Sequence, residues 1–195
     1  MTHSYSAPNL PRSTDAVPRM TAADRLRAAV LLAATLAMGL VAAVYLHWSE
    51  TIMPALAGTD DRTFVIVEQR LDSAIFGPFF MGYGIAGSLL LTGIAWAALA
   101  GTGRRNLWPW LITALVLDLA GIMITMAANE PLNQAIRYAG DPYQLADPGA
   151  VRAAFQEQTW TVLNHVRAVA TVLATVCLGW ALVLFGRSTA IGRQR

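Results

Sequence analysis

An amide, an imidazole and a guanidinium stand together in Asn164-His165-Val166-Arg167, at the head of the last apolar segment of the chain. A second polar group, Asn129-Glu130-Pro131-Leu132-Asn133, closes the third apolar segment. Polar groups entering hydrocarbon cost free energy unless partners or water reach them, so they are seldom idle. Asn164 and Arg167 share a helix face at a spacing of three, whereas His165 points well away from Arg167. Asn129 and Asn133 stack at a spacing of four if the helix survives Pro131. The proline removes a backbone donor and leaves carbonyls open to a ligand or water.

Two kinds of chemistry fit these residues. In one, Glu130 is the counter-ion of Arg167 or of protonated His165, and the amides complete a network that locks the third helix to the fourth. In the other, Asn129, Glu130, Asn133 and His47 bind a ligand, and His165 exchanges a proton with it. An imidazole titrates in the useful range, and an apolar wall would keep it a neutral base. His47 ends the first apolar segment at the same membrane face, so His47 and His165 could together ligate a haem. No third ligand and no Cys-x-x-Cys-His accompanies them, and the expectation is that no metal or cofactor is held. Asp118 stands alone mid-segment, about 16 Å below Asn129 at helical rise, and needs a partner such as a threonine.

The elements that position these residues follow from composition. Of 195 residues, 55% are hydrophobic and 13% charged, with a mean hydropathy of +0.46, which excludes an ordinary soluble domain. Segments 26–48, 79–100, 107–128 and 160–185 are each long and apolar enough to span a bilayer. The expected organisation is a disordered cytoplasmic tail over 1–22, a membrane domain over 23–187 and a second tail over 188–195. The first apolar run is too long for a signal-peptide core. Cys177 is the sole cysteine, which excludes an internal disulfide. The chain has no lysine, and its arginines form no nucleic-acid-binding stripe, so the partners expected are membrane lipid and a small apolar ligand.

Arginine placement orients the spans. Arg12, Arg19, Arg25 and Arg27 precede the first, Arg104 and Arg105 lie between the second and third, and Arg187, Arg193 and Arg195 follow the fourth. The other two loops are acid-rich, so both termini are expected inside, in the plasma membrane if the source is bacterial. In the first outer loop Phe64, Val67, Leu71 and Ile75 recur at helical spacing, which predicts an amphipathic helix on the bundle mouth, ended by Gly77-Pro78. In the second, a short helix runs from Pro131 to Ala139. Another starts at Asp147-Pro148 and continues unbroken through Trp160 into the fourth span. The fold expected is all-α: an integral membrane four-helix bundle with short amphipathic helices in its two outer loops.

The segments Ile52-Met53-Pro54-Ala55-Leu56, Phe76-Gly77-Pro78-Phe79-Phe80-Met81, Asn129-Glu130-Pro131-Leu132-Asn133 and Trp160 through Arg167 follow one another here. In that order they resemble the anthrone oxygenase-like family, small four-span membrane proteins most of which carry a domain of unknown function. The resemblance covers roughly residues 26–185. Glu130 departs from it, standing where an apolar residue, often Val, is expected; Asp118 lies outside the pattern. The resemblance implies an oxygenase that oxidises a flat apolar, anthrone-like or phenolic substrate with molecular oxygen and no cofactor. It casts His165 as base, with Asn164 and Arg167 donating hydrogen bonds to the developing oxyanion. The competing class is a non-catalytic membrane protein whose polar clusters are structural or bind a lipid, a quinone or a partner protein.

Overall fold

The computed structural model describes residues 20–191. Most of the N-terminal tail expected to be disordered, and the last residues of the C-terminal one, lie outside the described residues. Helix α1 is Ala22–Ala57, α2 Asp61–Ile75, α3 Phe79–Ala100, α4 Arg105–Arg137, α5 Pro148–Phe155 and α6 Glu157–Ile191. Among the described residues there is no strand, and four helical stretches are long and apolar enough to cross a membrane: α1, α3, α4 and the stretch Pro148–Thr189. The chain is an all-α integral membrane protein.

Side-chain caps start three of these helices, the one at Asp147 where the sequence places it. Thr21 accepts a hydrogen bond from the Asp24 amide at 3.0 Å, Asp60 from Thr63 at 3.0 Å, and Asp147 from Ala150 at 2.9 Å. Each satisfies an amide that the first turn leaves without a carbonyl. Gly140, at φ +97°, follows α4 in the left-handed region open to glycine.

The long helices form a ring in which α1 packs on α3 and α6, and α4 on α3 and α6. Contacts between opposite ends make neighbours antiparallel. Arg104, after α3, binds Asp24 at the start of α1 at 3.1 Å, and Trp110 near the start of α4 meets Trp180 near the end of α6. Leu31, Met38, Leu99, Leu111, Leu178 and Phe185 fill this half of the bundle without exposure to solvent. Gly39 faces Thr175 where α1 meets α6, and a Cβ there would make ordinary contact with the Thr175 methyl at 3.7 Å. Asp118, lone in the sequence, finds Ser88 of α3 at 3.0 Å.

At the opposite end the loops build a cap. The amphipathic helix α2 turns Phe64 and Val65 into it, fully buried with Trp48, Met53, Ile136, Phe155 and Trp160. It therefore packs on the protein. Two expectations are corrected. Helix α4 runs straight through Pro131 to Arg137, because the turn Thr125–Asn129 widens to i→i+5 hydrogen bonding and the proline falls at the start of the next α-turn. The helix from Pro148 is broken at Gln156, which takes φ 52° and ψ 57°. Arg152 spans that break to Glu157 at 2.8 Å and also binds the Thr59 carbonyl at 2.9 Å, drawing α5 over the cap. Wide turns also occur at Trp48–Ile52, just before Pro54, and at Phe79–Ala86, just after Pro78.

Candidate functional site

Between bundle and cap lies a cavity of about 400 Å³, with walls from α1, α2, α3, α4 and α6. Its polar groups divide by depth. The deep end holds Tyr45, Thr125, Asn164 and Arg167; the cap end holds Asp72, Glu130, Asn133 and Gln134. Between them the walls are apolar or aromatic, including Trp48, Ile75, Phe80, Ile122 and Trp160.

Arg167 is 4% exposed, and among the described residues no carboxylate lies within salt-bridge distance of it. Its guanidinium instead donates to Thr125 Oγ1 at 2.9 Å and Asn164 Oδ1 at 2.6 Å, and stacks 4.5 Å from the Tyr45 ring centroid. Trp160 is a second aromatic neighbour at 5.7 Å. The Arg167 Nε is buried without a hydrogen-bond partner. An arginine stays charged, so this is a desolvated cation held by neutral dipoles and π faces, at the wall of an apolar cavity. An anionic oxygen entering there would meet that unbalanced charge.

Asn164 sets the guanidinium in place. Its Nδ2 donates to the Tyr45 carbonyl at 2.8 Å and to Ser49 Oγ at 2.6 Å, which leaves Oδ1 for Arg167. The side chain has no exposure and ties α6 to α1. The Tyr45 carbonyl lies just before the stretch Trp48–Ile52 where α1 widens. Asn129 and Asn133 hold Trp160: Asn129 Nδ2 donates to the Trp160 carbonyl at 3.2 Å, and Trp160 Nε1 donates to Asn133 Oδ1 at 2.6 Å. The two amide clusters therefore meet across α4 and α6, with Trp160 between them.

Glu130 pairs with Arg137, at 2.7 Å, and not with Arg167 or His165. Arg137 also binds both oxygens of Asp72 on α2, clamping the two carboxylates together at the cap end. The reason is helical phase: Arg137 lies seven residues beyond Glu130, two turns on along the same face. His165 is half exposed on a different side of α6. Its Nε2 lies 3.1 Å from Glu50 Oε1 and its Nδ1 2.9 Å from the Thr161 carbonyl. It lines a shallow groove with Met53, Pro54, Ala57 and Glu157 rather than the cavity. His47 is exposed at the end of the first α-helical stretch of α1 and lines neither. Among the described residues no group of three or more histidine, cysteine, aspartate or glutamate side chains is arranged to hold a metal ion.

Sequence reasoning missed Asp72 and Arg137, and there was a signal for the first. Glu68 and Asp72 lie on the same stripe of α2 as Phe64, Leu71 and Ile75, and acids on an apolar stripe are acids turned inward. Glu68 is also buried, with Oε1 unpaired. Burial, together with the charges of Asp72 and Glu157, pushes its carboxyl up to about 8.

Residues 75–177, just over half of the chain, match the family model described as anthrone oxygenase. That stretch begins at the α2–α3 corner and includes the cavity residues of α3, α4 and α6. No curated protein and no solved structure matches the chain.

Proposed function

The chain belongs to the anthrone oxygenase family, and from that premise we propose that the cavity binds a flat phenolic or anthrone-like ring and oxidises it with molecular oxygen, without a resident cofactor. The observation that carries this reading is the buried guanidinium of Arg167, unpaired by any carboxylate among the described residues and facing an apolar space large enough for a fused-ring ligand. The substrate carbonyl sits against Arg167. A base removes a proton from the ring carbon opposite, and the charge moves to the oxygen, where the guanidinium stabilises it. Dioxygen then bonds to that carbon. The O–O bond of the peroxide breaks as the carbon's remaining proton leaves, which forms the second carbonyl and releases hydroxide. Hydroxide and a proton taken earlier make water, so one ring and one O₂ give one quinone and one H₂O.

In this reading Asn164 positions Arg167, and Asn129 and Asn133 position Trp160. The base is the Asp72–Glu130 carboxylate pair, which lines the cavity, rather than His165, which does not. The capped end faces the exterior, as the arginine distribution favours. The test is oxygen uptake by the purified protein in lipid nanodiscs with an anthrone. Wild type consumes oxygen in equal proportion to quinone formed, and Arg167→Ala loses most of that rate. Ring binding without oxygen uptake would remove the chemistry and leave a binding protein.

A further inference from the structure

The cavity is not closed on all sides. Four of its lining residues are exposed: Phe76 (49%) and Met81 (36%) at the α2–α3 corner, and Met126 (63%) and Gln134 on α4. These mark its mouth, between the start of α3 and the upper part of α4. The depth of the mouth follows from the chain. Met126 adjoins Thr125, which binds Arg167, so the lower edge is level with the buried guanidinium. It also lies within the apolar run of α4, about 3 Å below its last residue, Ala128, at helical rise. Gln134 is eight residues on, about 12 Å higher and beyond the apolar run. The mouth is thus a side slot whose lower edge is apolar and at hydrocarbon depth, and whose upper edge is polar and at headgroup depth.

We propose that this slot admits its ligand sideways from the bilayer, and that the ligand class is a tailed phenol or quinone. Its planar head fills the cavity against Arg167, and its hydrocarbon chain stays in lipid, passing between Met81 and Met126. The inference rests on the ring-binding part of the proposed function and goes beyond it, since an anthrone has no tail to accommodate. Unbranched thioether side chains suit such a passage, because they repack around chains of different shape. The tail leaves the membrane neither before nor after binding, so its length contributes nothing to affinity measured within the membrane. An enclosed site would instead reject a long tail outright.

The experiment uses the whole protein in nanodiscs and a series of 2-alkylanthraquinones with methyl, butyl and decyl tails. These are redox-inert under the conditions, and binding is read by quenching of tryptophan emission. Affinity per mole fraction of ligand in lipid should be the same within about twofold along the series. The double change Met81→Phe and Met126→Phe, which fills the slot with stiffer rings, should slow association of every member several-fold. Met123→Phe, one turn lower and equally lipid-exposed but outside the cavity, should leave the rate unchanged. Rejection of the decyl compound while the methyl one binds would overturn the proposal, as would a double variant that associates at the wild-type rate, or no binding by any member. Tail-independent, slot-dependent binding without oxygen uptake from any anthrone would leave the proposal standing and remove the oxygenase reading alone.

Discussion

Asn164 Oδ1 accepts a 2.6 Å hydrogen bond from Arg167 one helical turn further along, while the same amide's Nδ2 donates to α1. One side chain thus both joins the helices and aims the cation. The carboxamide is the group that can do this, since it offers a donor and an acceptor on one planar fork. Replacing Asn164 by Asp should keep the contact to Arg167 and lose both donations to α1. We expect a destabilisation of about 1–3 kcal/mol, from leaving the Tyr45 carbonyl and Ser49 hydroxyl underserved. A melting temperature in detergent equal to wild type would contradict that assignment.

Arg167→Lys tests whether planarity matters. An ammonium lacks the fork that reaches Thr125 and Asn164 together and stacks poorly on Tyr45. Anthraquinone binding should weaken about tenfold or more, the loss of a charge-assisted contact. Unchanged binding would show that charge alone suffices.

His165→Ala separates the two candidate bases. Because His165 lies in the outer groove against Glu50, its loss should leave any oxygen-uptake rate within about twofold, whereas a general base supplies roughly 10²–10⁴-fold. Asp72→Asn should cost the larger factor. A His165→Ala protein without activity would return the imidazole to the role of base.

Glu68 should make the protein more stable in acid than in base. Its carboxyl is pushed up to about 8 in the folded state by burial, and falls back to the ordinary carboxylate range on unfolding. Between those values the unfolded chain holds fewer protons than the folded one, so stability falls as pH rises from about 4.5 to about 8 and then levels. The loss is on the order of a few kcal/mol. Glu68→Gln should flatten the profile and raise the melting temperature at pH 9, compared by thermal melts at pH 5 and pH 9. Identical profiles for the two proteins would show that Glu68 ionises freely.

Topology has its own test. Reporter fusions at Gly103 and Gly140 should read cytoplasm and exterior respectively, following the arginine bias. The reverse pattern would place the cavity on the cytoplasmic side.

The bundle was legible because apolar runs of about 20 residues and flanking arginines are signals each segment carries by itself. Asn129, Asn133, Asn164 and Arg167 were also legible as a group, since each is a polar residue where hydrocarbon begins, whereas Trp160 between them read only as the end of a span. The pairing between them was not. Glu130 has an arginine within reach on its own helix and another on α6, and which one it takes depends on helical phase beyond Pro131, which a sequence does not display. His165 lies outside the cavity because it stands about 200° round the helix from Arg167, a divergence that the spacing of two already displays. The break at Gln156 has no glycine or proline to announce it. It is set by Arg152, whose partners Thr59 and Glu157 come from two different elements.

The wide turn at Thr125–Asn129 makes the upper half of the molecule a matter of counting. A chain lacking Ala127 would regain ordinary α-helical spacing there with cap and bundle still in phase, whereas a chain with one residue more would swing everything beyond it by about 100° around the axis of α4. Glu130, Asn133 and Arg137 would leave their partners together, while Leu111, Ala114 and Asp118 would stay in register with the bundle. Most substitutions in this turn, and the loss of one residue, should be absorbed, but the gain of one should uncouple cap from bundle. The result would be a protein that still inserts and stays helical yet is cut by protease between Thr59 and Gly77. In this protein, then, the length of this turn is as much a part of the site as the identity of Arg167.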